Sequence, residues 1–439
     1  MAKGESGDLC NIFLGPKSSF CGSFYNEDFD KLSLFVDFQK DITRTCSQTQ
    51  LNEDSVLWDG KVTKIDSGEE QLKDVNPYSP NPDHHWSRIS GKSDKKVIEL
   101  QYCNYFESFH SGLNFFAESD LGEIFEDRIR YQIEKSDIFS GFVSIYDANT
   151  GYSGLLAGLL PLLDDAFGRK PKMNFGVGAE KPSIFELEAV TKGSVCSFLN
   201  WCSFKDVFRG LLCQDTDYHT SAVLSLFFQQ VLRIPQKGTE FKDLTTFLSP
   251  LSRNIFTSNL GVPFDDPDDR GLSTLFSSQF LAKNITPLSL FCKQMSLPLH
   301  YTYMSSCGVS GIPNTHTFFS TLSQLTSTEQ VFGSTTRYCY TPQSLPLHAY
   351  YPQFFNDKIL SNGRLRAPHQ KVRSQPVKEI PVVSLLQNNQ EPLQLIAQVL
   401  STSVKVSESP ELLTAGILQD DVSNIRQTLN ELADNYSLN

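Results

Sequence analysis

Apolar and polar positions alternate along this chain with periods that change from block to block. From Ser119 to Glu134 the residues Leu121, Ile124, Phe125, Ile129 and Ile133 recur at helical spacing, with charged residues between them. That is the pattern of an amphipathic helix. Ile138 to Tyr146 is a compact apolar run alternating with Ser, which predicts a strand. The turn Asp147-Ala-Asn-Thr-Gly-Tyr-Ser-Gly154 follows, and Leu155 to Phe167 reads as a second helix. Strand, glycine-bearing turn and helix in that order form a unit that in α/β folds can cradle phosphate on backbone N–H groups.

The same reading extends to the rest of the chain. Leu32-Ser-Leu-Phe-Val-Asp-Phe38 is dense enough for a buried strand, and Val97 to Tyr102 is a short strand candidate. Residues 59–95 are polar, with Pro77, Pro80, Pro82 and Trp86, and are expected to form an exposed loop. Tyr218 to Leu232 is apolar around most of its circumference, which predicts a helix buried between two units. Mixed short segments follow to residue 350, including Leu297 to Met304 and Arg337 to Tyr340, and suggest an α+β unit. The tail offers an apolar stretch from Ile380 to Leu386 and helices over Pro392–Leu400 and Asp420–Tyr436.

Composition narrows the function classes. A hydrophobic share of 39% and a charged share of 20% fit a folded globular chain, and 439 residues exceed one ordinary core. The net charge of −12 disfavours general nucleic-acid binding. The 10 cysteines run from Cys10 to Cys339 without a C-x-x-C pair or metal-ligand spacing, which fits a reducing compartment and structural roles, Cys292 and Cys307 included. No apolar stretch is long enough to span a bilayer, so membrane association is expected to be peripheral. His84 and His85 beside Asp83 lack a third ligand at usable spacing, so no metal site is expected. His219 is expected to cap or pack the central helix rather than act as a base, and Asp265-Asp-Pro-Asp-Asp269 to be a solvated loop. The cationic run Lys358, Arg364, Arg366, Lys371, Arg373 and Lys378 stands out in an acidic chain and is a candidate patch for anionic lipid or a protein partner, against the plainer reading of a solvated linker.

Several blocks together resemble the Misato family, a divergent branch of the tubulin superfamily. Leu57-Trp-Asp-Gly60, Trp86-Ser87 and Tyr105-Phe-Glu-Ser-Phe109 lead into Glu126-Asp-Arg-Ile-Arg130, Glu134, Asp137 and Gly141-Phe142. Later come Tyr218-His-Thr-Ser-Ala-Val-Leu224, Arg253-Asn-Ile255, Tyr351-Pro-Gln-Phe-Phe355, Asp420-Asp421 and Leu432-Ala-Asp-Asn-Tyr436, in the family's order. The resemblance implies a tubulin-like α/β fold in blocks. Residues 1–30 are a divergent or disordered N-terminus, in which a tubulin's first phosphate-contacting strand is not recognised. Residues 31–216 form a nucleotide-binding-type domain with a Rossmann-like parallel sheet, and 217–233 a central divider helix. Residues 234–356 are an α+β intermediate domain, 357–379 a basic linker, and 380–439 a C-terminal helical segment.

By the same resemblance the chain acts in mitochondrial distribution, morphology and inheritance. It would reside in the cytoplasm and peripherally at the outer mitochondrial membrane, with tubulin or its folding machinery as candidate partners. The residues implied to meet nucleotide are Thr150, Gly151, Ser153 and Gly154. A tubulin-like assembly loop resembles Gly238-Thr-Glu-Phe-Lys-Asp-Leu-Thr-Thr-Phe247, with Gly238 and Asp243 kept, Phe241 where Asn is expected and Thr246 where the acid stands. Bulky Tyr152 in the glycine turn, and no carboxylate to orient water, imply no hydrolysis and no cofactor, with GTP the one ligand left open. The alternatives are a GTP-binding assembly protein and a cofactor of tubulin or spindle assembly.

Overall fold

The computed structural model describes residues 8–14, 33–38, 97–100, 106–178, 180–200, 216–236, 240–262, 285–291, 304–310, 335–347, 351, 353, 355, 359–363, 375–406 and 419–437. Its first sheet is parallel throughout and comprises β1 (Asp8–Leu14), β2 (Ser33–Phe38), β3 (Val97–Leu100), β4 (Phe139–Asp147), β5 (Lys172–Gly178) and β6 (Val195–Asn200). The strand order is β3-β2-β1-β4-β5-β6, so the winding reverses between β1 and β4. The chain is therefore α/β with a Rossmann-like parallel sheet, and the crevice such sheets use for ligands lies at that reversal, beyond the carboxyl ends of the strands.

Helices α1 (Phe109–Glu118), α2 (Leu121–Ile133), α3 (Gly151–Phe167) and α4 (Ile184–Thr191) pack on one face of this sheet, together with α7 (Pro392–Val406) and α8 (Gln419–Ser437). The alternation of β1 explains the layering: Cys10, Ile12 and Leu14 join that core, while Phe13 joins the core on the opposite face. On that second face lies α5 (Thr216–Gln236), with α6 (Phe241–Leu248) beside it.

The second sheet is mixed, with order β10-β9-β13-β7-β8, built from β7 (Thr257–Gly261), β8 (Ile285–Pro287), β9 (Met304–Ser310), β10 (Thr335–Thr341) and β13 (Val382–Asn388). A short pair, β11 (Leu345–Pro346) and β12 (Glu379–Ile380), stands apart. Helix α5 packs against β9 and β13 on one side and the parallel sheet on the other, with Phe227 and Phe228 edge-on to Phe175 at 5.9 and 5.0 Å. Each such ring pair adds about 1 kcal/mol beyond area burial. The two sheets are also stitched by backbone. Cys196 N–H donates to Asn254 O at 2.8 Å, Phe256 N–H to Cys196 O at 3.0 Å, and Leu290 N–H to Phe198 O at 2.9 Å. Tyr436 of α8 seals this seam: its hydroxyl accepts from Ile255 N at 2.7 Å and donates to Ile255 O.

Three sequence expectations are corrected. Within the terminus expected to be divergent or disordered, residues 8–14 are ordered as β1, a central strand of the parallel sheet, with Cys10, Ile12 and Leu14 fully buried. A strand buried on both faces has no polar face to mark its period. The segment 380–439 is not helical throughout, because β13 is the central strand of the second sheet; the unit expected over 234–356 is completed only by chain from beyond the linker. The ends of the expected linker are packed as well: Ile359 and Val377 are buried, and Lys378 N–H donates to Ser361 O at 2.8 Å. The helices expected at 119–134, 155–167, 218–232, 392–400 and 420–436 correspond to α2, α3, α5, α7 and α8, with α3 starting earlier, at Gly151. Residues 59–95, and with them His84 and His85, lie outside the described residues.

Candidate functional site

The turn after β4 stands at the reversal point, where a phosphate cradle belongs. Thr150 is the N-cap of α3, in extended conformation, and Gly151 through Leu156 are all buried. What buries them is the segment entering α1. That helix starts sharply at Ser108, whose side chain accepts from Ser111 N–H while Ser111 Oγ accepts from Ser108 N–H, a reciprocal capping box. So fixed, α1 crosses the first turns of α3 at backbone distance. A Cβ on Gly112 would lie 1.7 Å from Gly151 O, and one on Gly154 would lie 1.9 Å from Phe109 O. A Cβ on Gly151 would strike the Phe106 ring at 2.7 Å. These glycines make room for protein, where a cradle's glycines make room for phosphate.

The polar groups of the turn are engaged locally as well. Gly151 N–H donates to Phe106 O at 3.1 Å, and Ser153 N–H to Thr150 O at 3.1 Å. Thr150 Oγ1 donates to Asp147 O at 3.0 Å, and Ser153 Oγ donates to Thr150 O at 2.6 Å. Tyr152 is buried, with its ring edge-on to Phe106 at 5.0 Å. The fold thus brings Thr150, Gly151, Ser153 and Gly154 together at one helix start, under a lid made of residues 106–112.

Beside this turn sits a buried polar cluster that sequence spacing does not announce. Asn149 has φ of 68°, and its N–H donates to Glu186 Oε2 at 3.3 Å. Glu186 is fully buried in the first turn of α4, which Ser183 caps by accepting from Glu186 N–H at 3.1 Å. Burial pushes the Glu186 carboxyl up to about 7, against the opposing pull of the Asn149 N–H. Burial likewise pushes Asp147 up to about 7. Tyr146 is raised by burial and then by Glu186, and the Cys196 thiol by burial and then by Glu186. Cys10 is pushed up by burial to about 12. At neutral pH both thiols are protonated, unsuited to nucleophilic or ligand roles.

The expected assembly loop has a different form. Gly238 lies outside the described residues, and the stretch from Phe241 to Leu248 is helix α6 rather than a loop. Phe241, Leu244 and Leu248 are buried, and the Phe241 ring fills the space over Gly141, where an added Cβ would meet it at 2.7 Å. Asp243 and Thr246 are exposed. Arg364, Arg366, Lys371 and Arg373 lie outside the described residues, as does Cys292. Among the described residues no group of three or more His, Cys, Asp or Glu side chains could hold a metal ion, and no helix is long and apolar enough to cross a membrane. Neither a protein-family model nor a curated protein matches the chain.

Proposed function

We propose that this chain is a tubulin-like scaffold of the Misato type, which organises mitochondria through its protein surfaces and does not turn over nucleotide. The carrying observation is the Gly151 N–H bond to Phe106 O, with α1 packed onto Gly151 and Gly154. An amide already bonded inside a buried helix crossing is not offered to phosphate. The reading is supported by the Rossmann-like parallel sheet and by a helix packed between two sheets, both of which the resemblance implies. The mitochondrial role, residence in cytoplasm and peripherally at the outer membrane, and partners such as tubulin or its folding machinery come from the resemblance in Tyr105–Phe109, Glu126–Arg130 and the later blocks. Arg364, Arg366, Lys371 and Arg373 are the proposed membrane or partner contacts.

A second reading, a GTP-binding assembly protein, is favoured by the strand order, which sets the β4 turn at the switch point. Depletion of the chain from cells, followed by re-expression, separates the two. Wild type and Thr150→Ala should both restore mitochondrial network form. An unaltered network after depletion would refute the mitochondrial role; failure of a folded, normally abundant Thr150→Ala variant would favour the nucleotide reading.

A further inference from the structure

The segment from Pro250 to Phe256 leaves α6 and enters β7, and it is gripped from three sides. On the side of the first sheet, Cys196 N–H donates to Asn254 O and Phe256 N–H donates to Cys196 O. On the side of the second, Asn388, the last residue of β13, donates from Nδ2 to Leu248 O at 2.9 Å and to Arg253 O at 2.7 Å. The third grip is the last turn of α8. Tyr436 bonds both the N–H and the carbonyl of Ile255, and Asn435 O accepts from Arg253 Nε at 2.5 Å.

That third grip is polar where most helix packing is apolar. Asn435 O is one of the four last carbonyls that a helix leaves without a partner of its own, and a cation at that end is favoured by the helix dipole. Arg253 supplies it from a position only 1% exposed, with its guanidinium 5.8 Å from the Tyr436 ring centre. The apolar seat of α8 is narrow by comparison: Val422, Leu429, Leu432 and Tyr436 are buried, while Asp420, Asn424, Glu431 and Asp434 face out. A helix held by one thin stripe and its end bonds opens locally more readily than a core element.

Next to the clasped residues the backbone is strained. Leu251 and Ser252 stand at φ of 53° and 60°, two consecutive left-handed residues without a glycine, which persist only where their surroundings impose them. The Leu251 side chain is 71% exposed, so no burial of its own offsets that conformation. It is imposed by bonds on either side: Ser249 Oγ donates to Thr245 O at 3.0 Å, Arg253 N–H donates to Pro250 O at 3.0 Å, and α8 holds the Arg253 side chain. Strain at residues 251–252 therefore pulls against the end of α8.

We propose that the last turn of α8 is a clasp on a two-state joint. Closed, it holds residues 253–256 against Cys196 and fixes the second sheet to the first. Open, α8 lifts away, the strained turn relaxes and the joint loosens while the parallel sheet stays intact. The position of a surface helix is thereby coupled to the fit between two sheets.

Native-state hydrogen exchange reads the two states. In wild type the amides of α8 and those of Cys196, Ile255 and Phe256 should share one opening, more frequent than that of β4 and β5. Tyr436→Phe removes only the hydroxyl, and should speed exchange in α8 and at Cys196 and Phe256 by about tenfold, leaving β4 and β5 unchanged. Leu251→Gly relieves the strain with little loss of buried surface, and should slow the same amides about threefold. Acceleration confined to Ile255 in Tyr436→Phe would overturn the proposal, because the hydroxyl would then be a local bond and nothing more. Equal acceleration in β4 and β5 would overturn it too, as the mark of global unfolding. Should Tyr436→Phe not fold, the other two proteins decide: separate openings for α8 and Cys196 in wild type, or an unchanged rate in Leu251→Gly, would contradict the clasp.

Discussion

Helices α3 and α6 both start inside segments expected from sequence to be loops, yet their first turns are built in opposite ways. At α3 the first turn is buried on every side: glycines admit α1 to backbone contact, and Thr150 and Ser153 bond to the turn itself. At α6 Phe241, Leu244, Thr245 and Leu248 are buried, while Asp243 and Thr246 face out. A glycine-and-hydroxyl signature before a helix is thus compatible with a closed helix crossing as well as with a ligand cradle, and what decides is which element lies above it.

The contrast predicts a graded set of effects on stability, each read by denaturant unfolding. Phe241→Ala should be costly, by about 3–5 kcal/mol, because it empties the buried space that the ring fills over Gly141. Gly112→Val should cost about 3 kcal/mol or more, since the new Cβ has no room against Gly151 O; a neutral result would mean that α1 does not close the α3 start.

A pH series probes the polar side of the same turn. Glu186 binds its proton more tightly folded, near 7, than unfolded, near 4.5. Its contribution is therefore fully present below about 4.5, and is lost as pH rises towards about 7, by up to about 3 kcal/mol. Asp147, raised in the same sense, adds to this fall. Glu186→Gln should flatten the slope across that window, and an unchanged slope would assign it elsewhere. Ser153→Ala should cost about 1 kcal/mol, because a fully buried hydroxyl loses its bond to Thr150 O. Smallest of all, Asp243→Ala and Thr246→Ala should stay within about 0.5 kcal/mol, as exposed positions do, so any loss of partner binding in them would report a surface role directly.

The elements that sequence periodicity revealed are those with one polar face. Helix α2 shows Leu121, Phe125 and Ile129 in, with Glu123 and Arg130 out of the core. β1 hid because both of its faces are buried and Asn11 interrupts its apolar run. β13 read as a prelude to a helical tail because its partners, β7 and β9, lie far back in the chain. The site was half legible. The β4 turn and the α3 start follow from local spacing, whereas the closure by Phe106 and the meeting of Asn149 with Glu186 join separate segments that no local period links. Two signals could have exposed them. Gly151, Gly154 and Gly158 fall on one helical face, the mark of a close crossing, and Ser183-x-x-Glu186 marks a helix start with an acid in its first turn.

Calorimetric titration of GTP into the purified chain, with Tyr152→Gly alongside, tests the closed turn most directly. The account predicts no saturable heat for wild type, with Gly151 N–H bonded to Phe106 O and α1 in place. Tight, saturable binding by wild type would contradict it, and would make the β4 turn a working phosphate site.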